Sequence, residues 1–167
     1  MTTTITGATG IDNIQAATGA VLQVVNFQTG TLAVGTGVIT YDNTIPQITE
    51  GTEFMTATIT PKSTTSTLII DARFVASPST SAIVVGSLFQ DSVGNALATT
   101  FQYFQSGGHL TPQTILHKMV SGTTSATTFR LRAGCHVSAT TTFNGRSGSA
   151  FFGGTLASSI TITEIAG

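Results

Sequence analysis

Three histidines, one cysteine and seven acidic residues are the groups in this chain with the clearest capacity for chemistry. A protein-bound zinc draws its ligands from a short, regular spacing, such as two histidines on one helix face. His109, His117 and His136 fit no such spacing, and Cys135 beside His136 has no further ligand near it in sequence. On a strand those two neighbours point to opposite faces, which argues against shared coordination. General acid–base work needs two carboxyl groups converging on one bond, and the acidic residues here are dispersed. Asp91 and Asn95 could offer oxygens to a cation, although an Asx turn accounts for the pair more simply. Gly145-Arg146-Ser147-Gly148-Ser149 lacks the last glycine of a nucleophile elbow. The glycines at Gly35 and Gly37 lack the lysine and helix of a phosphate loop. The expectation is a protein that is not an enzyme, with no cofactor and no metal.

The elements that would position any site are strands. Only 8% of the 167 residues are charged, against roughly 25% in ordinary soluble domains. Thr fills about one position in five, and a β-branched side chain, stiff at χ1, suits a pleated surface. No window carries helix formers at helical spacing. A net charge of −1 without a Lys/Arg cluster removes the main driving force for nucleic-acid binding and for an anionic membrane surface. No apolar run is long enough to insert in a membrane. Cys135, alone, reads as a small buried hydrophobe in a chain folded in a reducing cytosol.

Met1 to Thr18 is polar and glycine-interrupted, with only Ile5, Ile11 and Ile14 as apolar points. It reads as an arm, residues 1–18, before a single domain over 19–167. Candidate strands follow at Ala20–Phe27, Val38–Tyr41, Phe54–Thr60, Leu68–Val75, Ala82–Phe89, Leu97–Phe104, Gln113–Val120, Thr127–Ala133 and Val137–Thr142. The first is phased with Val21, Gln23, Val25 and Phe27 on one side and Leu22, Val24 and Asn26 on the other. Asn144-Gly145 signals a tight turn, since both central residues of a type I′ turn need positive φ. Ser159–Ile165 alternates Thr with Ile, and a strand so near the end of the chain is expected inside a sheet. Roughly eight to ten short strands at this spacing predict an all-β, antiparallel jelly-roll sandwich. Natural sheet edges are usually blunted with charge, and this chain has little. Ala20–Phe27, Ala82–Phe89 and Gln113–Val120 are apolar on both faces, so their outer faces are expected to be covered by copies of the chain. The candidate interface is Leu22, Val24, Phe101, Tyr103, Phe104, His117, Phe151 and Phe152.

Four segments in order, GAVLQVV (Gly19 to Val25), ATITPKSTTSTLII (Ala57 to Ile70), TFRLRAG (Thr128 to Gly134) and NG…FFGG…SSITITEI (Asn144 to Ile165), resemble a widespread phage family. Its members are small trimeric jelly rolls, similar to the tumour-necrosis-factor architecture, in tail fibre tips, head fibres and capsid decoration proteins. The resemblance implies a homotrimer with a structural or adhesive role on the virion surface, made in the host cytoplasm. Fibre members usually carry a shaft before the module, and here only Met1 to Thr18 precedes it.

Two functions are therefore set against each other. One is a capsid decoration (cement) protein that grips the major capsid protein with Ile5, Ile11 and Ile14 of its arm and stabilises the assembled shell. The alternative is a receptor-binding tail fibre tip or head fibre, joined to a fibre or baseplate protein and contacting the host through loops such as Gly107–Pro112 and Asp91–Asn95. A hydrolase of surface glycans is a distant third. With no Trp and two Tyr, stacking on carbohydrate is not expected.

Overall fold

The computed structural model describes residues 17–167, so Ile5, Ile11 and Ile14 lie outside the described residues. Alternation of apolar and hydroxyl side chains sets the strands: β1 (Val21–Thr29), β2 (Ala33–Gly35), β3 (Thr52–Ile59), β4 (Thr67–Pro78), β5 (Ala82–Gln90), β6 (Ala98–Phe104), β7 (Thr111–Val120), β8 (Thr127–Cys135), β9 (Thr141–Phe143), β10 (Gly145–Arg146), β11 (Ser149–Ala150) and β12 (Ser158–Ile165). A 3-10 turn, Phe152–Gly154, precedes the last of them. All strand pairings are antiparallel.

One sheet runs β1–β12–β4–β7, with β9 beside the far end of β4 and β2 on β9. The other runs β3–β8–β5–β6. The chain passes repeatedly from one sheet to the other, which is the jelly-roll order of strands. Between the sheets lie Met55, Ala57, Ile59, Leu88, Phe129 and Leu131 from one, and Leu68, Ile70, Phe74, Ile115, Ile160 and Ile162 from the other. Phe143 stacks on Phe54 with ring centroids 4.8 Å apart. The Phe74 ring lies over Gly86, where a Cβ would stand 2.3 Å from its Cζ. Cys135 is buried and free, as its isolation suggests.

Three local expectations change. In β1 the pairing shifts between Val21 and Gln23. This bulge puts Val21 on the same side as Val24 and Asn26, while Gln23, Val25 and Phe27 face inward. Asn144 has φ 53°, but Gly145 enters a strand, and the tight turn falls at Ser147 (φ 49°) and Gly148 (φ 77°). Asn144 is instead a buried tie. Its amide donates to the carbonyls of Thr29 and Thr31 at 2.8 and 3.2 Å, and its oxygen accepts from Ser158 Oγ at 2.6 Å. Val38–Tyr41 makes only a single bridge, from Val38 to Cys135. Residues 38–51 cross the outside of a sheet.

Candidate functional site

That crossing segment decides which outer face is free. Ile39 is fully buried and its N–H donates to the Cys135 carbonyl at 3.2 Å. Further along, Ile48 N–H reaches Gly94 O at 2.7 Å and Ala96 N–H reaches Pro46 O at 2.9 Å. Arg132, on the outer side of β8, donates to the carbonyls of Glu50 and Gly51 at 2.8 and 2.9 Å. Arg130 beside it reaches Asp91 O at 3.0 Å. Phe89, which its register with Arg130 places on this outer side, is fully buried. The outer face of β5 is therefore covered by the chain's own flap and not by a copy. A flap tied by backbone hydrogen bonds and by Arg132 leaves those groups satisfied without a partner.

The outer face of the β1–β12–β4–β7 sheet has no such cover among the described residues. Register places its side chains in four rows: Val21, Ile165, Thr67 and Val120; Val24, Thr163, Ile69 and Lys118; Asn26, Thr161, Asp71 and Leu116; Gln28, Ser159, Arg73 and Thr114. The first two rows are apolar or β-branched but for Lys118, and the last is polar. Leu116 is 68% exposed, and Val21, Val24 and Val120 are nearly as open. Asp71 and Arg73 pair along β4, with nitrogen–oxygen distances of 2.7 to 3.1 Å. Asn26 Nδ2 donates to Thr161 Oγ1 at 2.8 Å. Apolar residues contiguous across four strands and bordered by paired charges make up the kind of patch that marks a protein contact.

The ionisable groups do structural work. Glu164 is fully buried at the end of β12. Its Oε1 accepts from Ser66 Oγ at 2.6 Å and from the N–H groups of Lys62 and Ser63 at 2.7 and 3.3 Å, and its Oε2 accepts from Gln23 Nε2 at 2.6 Å. Burial pushes this carboxyl up, and the four hydrogen bonds outweigh that and hold it below its ordinary value. His136 Nδ1 accepts from Ile83 N–H at 3.0 Å. Asp91 Oδ1 accepts from Thr128 N–H at 2.8 Å and Asn95 Oδ1 from Gln47 Nε2 at 3.0 Å, so each is tied to a distant segment and not by the expected Asx turn. Among the described residues no three His, Cys, Asp or Glu side chains gather as metal ligands, and no helix is long and apolar enough to cross a membrane.

The model of the Pgp3 C-terminal domain family matches residues 24–167, from inside β1 through β12. The chain belongs to the Pgp3 C-terminal domain family. The match does not confirm the phage family that the four sequence segments resemble. Among solved structures the chain is similar to the enzymatically active domain of tailspike protein 4 of bacteriophage CBA120, at 17% identity and a TM-score of 0.28. That alignment covers 74% of this chain and 19% of the tailspike. No curated protein matches the chain.

Within this Pgp3 C-terminal domain the eight residues predicted for an interface fall in separate places. Val24 is on the open sheet face, and Leu22 is half-buried at the β1 bulge. His117 stands opposite Ile70 on the inner side of β7, where burial pushes its imidazole down. Phe104 is 3% exposed and belongs to the core; strand alternation turns it inward while Phe101 and Tyr103 face out. Those two lie on the opposite sheet, beside the flap, with Phe101 and Tyr41 edge to face at 5.4 Å. Phe151 and Phe152 project from the turn after β11, 38% and 73% exposed, and Phe152 holds a φ of 55°. Ile69, Leu116, Val120 and Ile165 of the open face are not among the eight. Their signal was available: Leu116 alternates with Thr114 and Lys118, out of phase with the buried Ile115.

Proposed function

We propose that this domain is a non-catalytic virion module that works as a homotrimer and adheres to a host surface, as the tip of a tail or head fibre does. The observation that carries it is the uncovered outer face of β1–β12–β4–β7, whose first two rows bring Val21, Val24, Ile69, Val120 and Ile165 together with Thr67 and Thr163. A face of that kind resists water until another surface covers it. A second copy is the fitting occupant, because this face lacks the flap that covers β5 on the opposite sheet. The jelly-roll order and the family membership support a trimer similar to tumour necrosis factor. Three copies around an axis bring three sets of loops to one end, where weak contacts to a repetitive surface add by avidity. A fibre or baseplate protein is then the partner at the other end.

Decoration of a capsid rests on the 1–18 arm, nearly all of which lies outside the described residues, so no structural observation favours it over adhesion. Labelled full-length protein tests the proposal on candidate host cells. The wild type adheres and a Val24→Asp variant, which cannot assemble, loses most of that binding. Equal binding by both, or by neither, contradicts it. Deleting residues 1–18 keeps adhesion if the tip function holds; loss of capsid binding in that variant restores the decoration function instead.

A further inference from the structure

The flap does more than seal a sheet: its first turn stands away from β5 and β6 and leaves a cleft of about 230 Å³. Buried Val85 and exposed Thr99 line it, with Tyr41 and Phe101, each about half exposed. The two rings meet at 60°, centroids 5.4 Å apart, so each also presents ring surface to solvent. Asp42 and Thr40 supply the polar edge. Asp42 Oδ1 accepts from the Thr44 N–H and hydroxyl at 2.7 and 2.6 Å, and its Oδ2 takes part in no hydrogen bond among the described residues. The Thr44 bonds hold this carboxyl below its ordinary range, so at neutral pH it is a fixed acceptor.

We propose that this cleft is a subsite for one neutral pyranose ring of a surface glycan. The volume lies below the ~300–1,000 Å³ of clefts that enclose drug-sized ligands, which suits a single ring. Aromatic faces carry negative quadrupole charge and attract the polarised C–H face of a sugar. Asp42 Oδ2 and the Thr40 hydroxyl then take the hydroxyls at the ring's edge. No lysine or arginine lines the cleft, so nothing there pairs with a carboxylate or sulfate on an acidic sugar. The absence of Trp, which argues against sugar stacking in the sequence, is met by a Tyr and a Phe that only the flap brings together. This proposal rests on the adhesive function and gives it a ligand class; three clefts per trimer raise a weak single-site affinity through avidity.

Saturation-transfer NMR on the full-length protein, with methyl glucoside, methyl galactoside and N-acetylneuraminate as separate probes, tests it. At least one neutral glycoside should give a saturable signal and N-acetylneuraminate a weaker one. Phe101→Ala should weaken the neutral sugar about tenfold or more. Tyr103→Ala, on the same strand and equally exposed but outside the cleft, should leave it unchanged. No saturable signal from either neutral glycoside, a stronger signal from N-acetylneuraminate, or equal loss in both variants overturns the cleft assignment. If that happens while the wild type still adheres to cells, the cleft fails and adhesion stands; if adhesion is absent as well, both fail.

Discussion

Ser66 Oγ and Glu164 Oε1 lie 2.6 Å apart, inside the fold, and join the loop before β4 to the last turn of β12. With Gln23 on the other carboxylate oxygen, the same carboxyl also holds β1. A single buried charge thus ties together three segments that are far apart in sequence.

The hydrogen bonds hold the Glu164 carboxyl below its unfolded value. A lowered folded-state pKa contributes stability above the unfolded pKa, and that contribution is lost as pH falls through the folded one. The melting temperature of the wild type should therefore decline as pH drops below about 4.5, the region where an unfolded glutamate takes up its proton. Glu164→Gln should cost about 2 kcal/mol at pH 7 and show a shallower acid decline. Thermal melts at stepped pH check both; parallel curves for the two proteins would contradict the account.

Gly86 has no room for a side chain, because its Cβ would enter the buried Phe74 ring. Gly86→Ala should destabilise by about 1–3 kcal/mol through overpacking. Chemical denaturation reads this directly, and an unchanged midpoint would show that the ring can move aside.

Arg132 should control the flap. Arg132→Met removes two charge-assisted hydrogen bonds to Glu50 and Gly51, each worth about 1.5–3 kcal/mol, while keeping an apolar stem. Hydrogen exchange at the Ile48 and Gly51 amides should speed up by tenfold or more, with β4 and β12 unaffected. Uniform exchange across the molecule would mean that the flap opens only with global unfolding.

Val24→Asp should dissociate the assembly. A carboxylate there meets only Thr163, Ile69 and their neighbours, and an unpaired buried charge costs about 3 kcal/mol or more. Tyr103→Asp, on the other sheet, should assemble as the wild type does. Assembly of both variants would move the contact elsewhere.

Strand positions were legible because alternation states them. Met55, Ala57 and Ile59, then Phe129, Leu131 and Ala133, are buried as their period of two requires. Ser159–Ile165 lies inside a sheet, between β1 and β4, with the alternation of Thr and Ile that marks a strand. The site was far less legible, for three physical reasons. The bulge at Leu22 shifts the phase of β1 by one residue, which no propensity announces. A segment such as 38–51 covers a sheet through backbone bonds, and these leave no pattern in side chains. Clusters such as Phe101, Tyr103 and Phe104 look like one patch in sequence, yet adjacent strand residues face opposite ways. Aromatic density therefore drew attention to β6, whereas the exposed Val, Ile and Leu of the other sheet are spread singly over β1, β4, β7 and β12 and form no run in the sequence.

The mass of the full-length protein in solution, measured by sedimentation equilibrium at low micromolar concentration, tests the central claim most directly. A species three times the 17.1 kDa chain mass is the expected result if, as proposed, neighbouring copies cover the open sheet face. A soluble, cooperatively melting species of 17.1 kDa would contradict it, since that face would then be stable in water by itself.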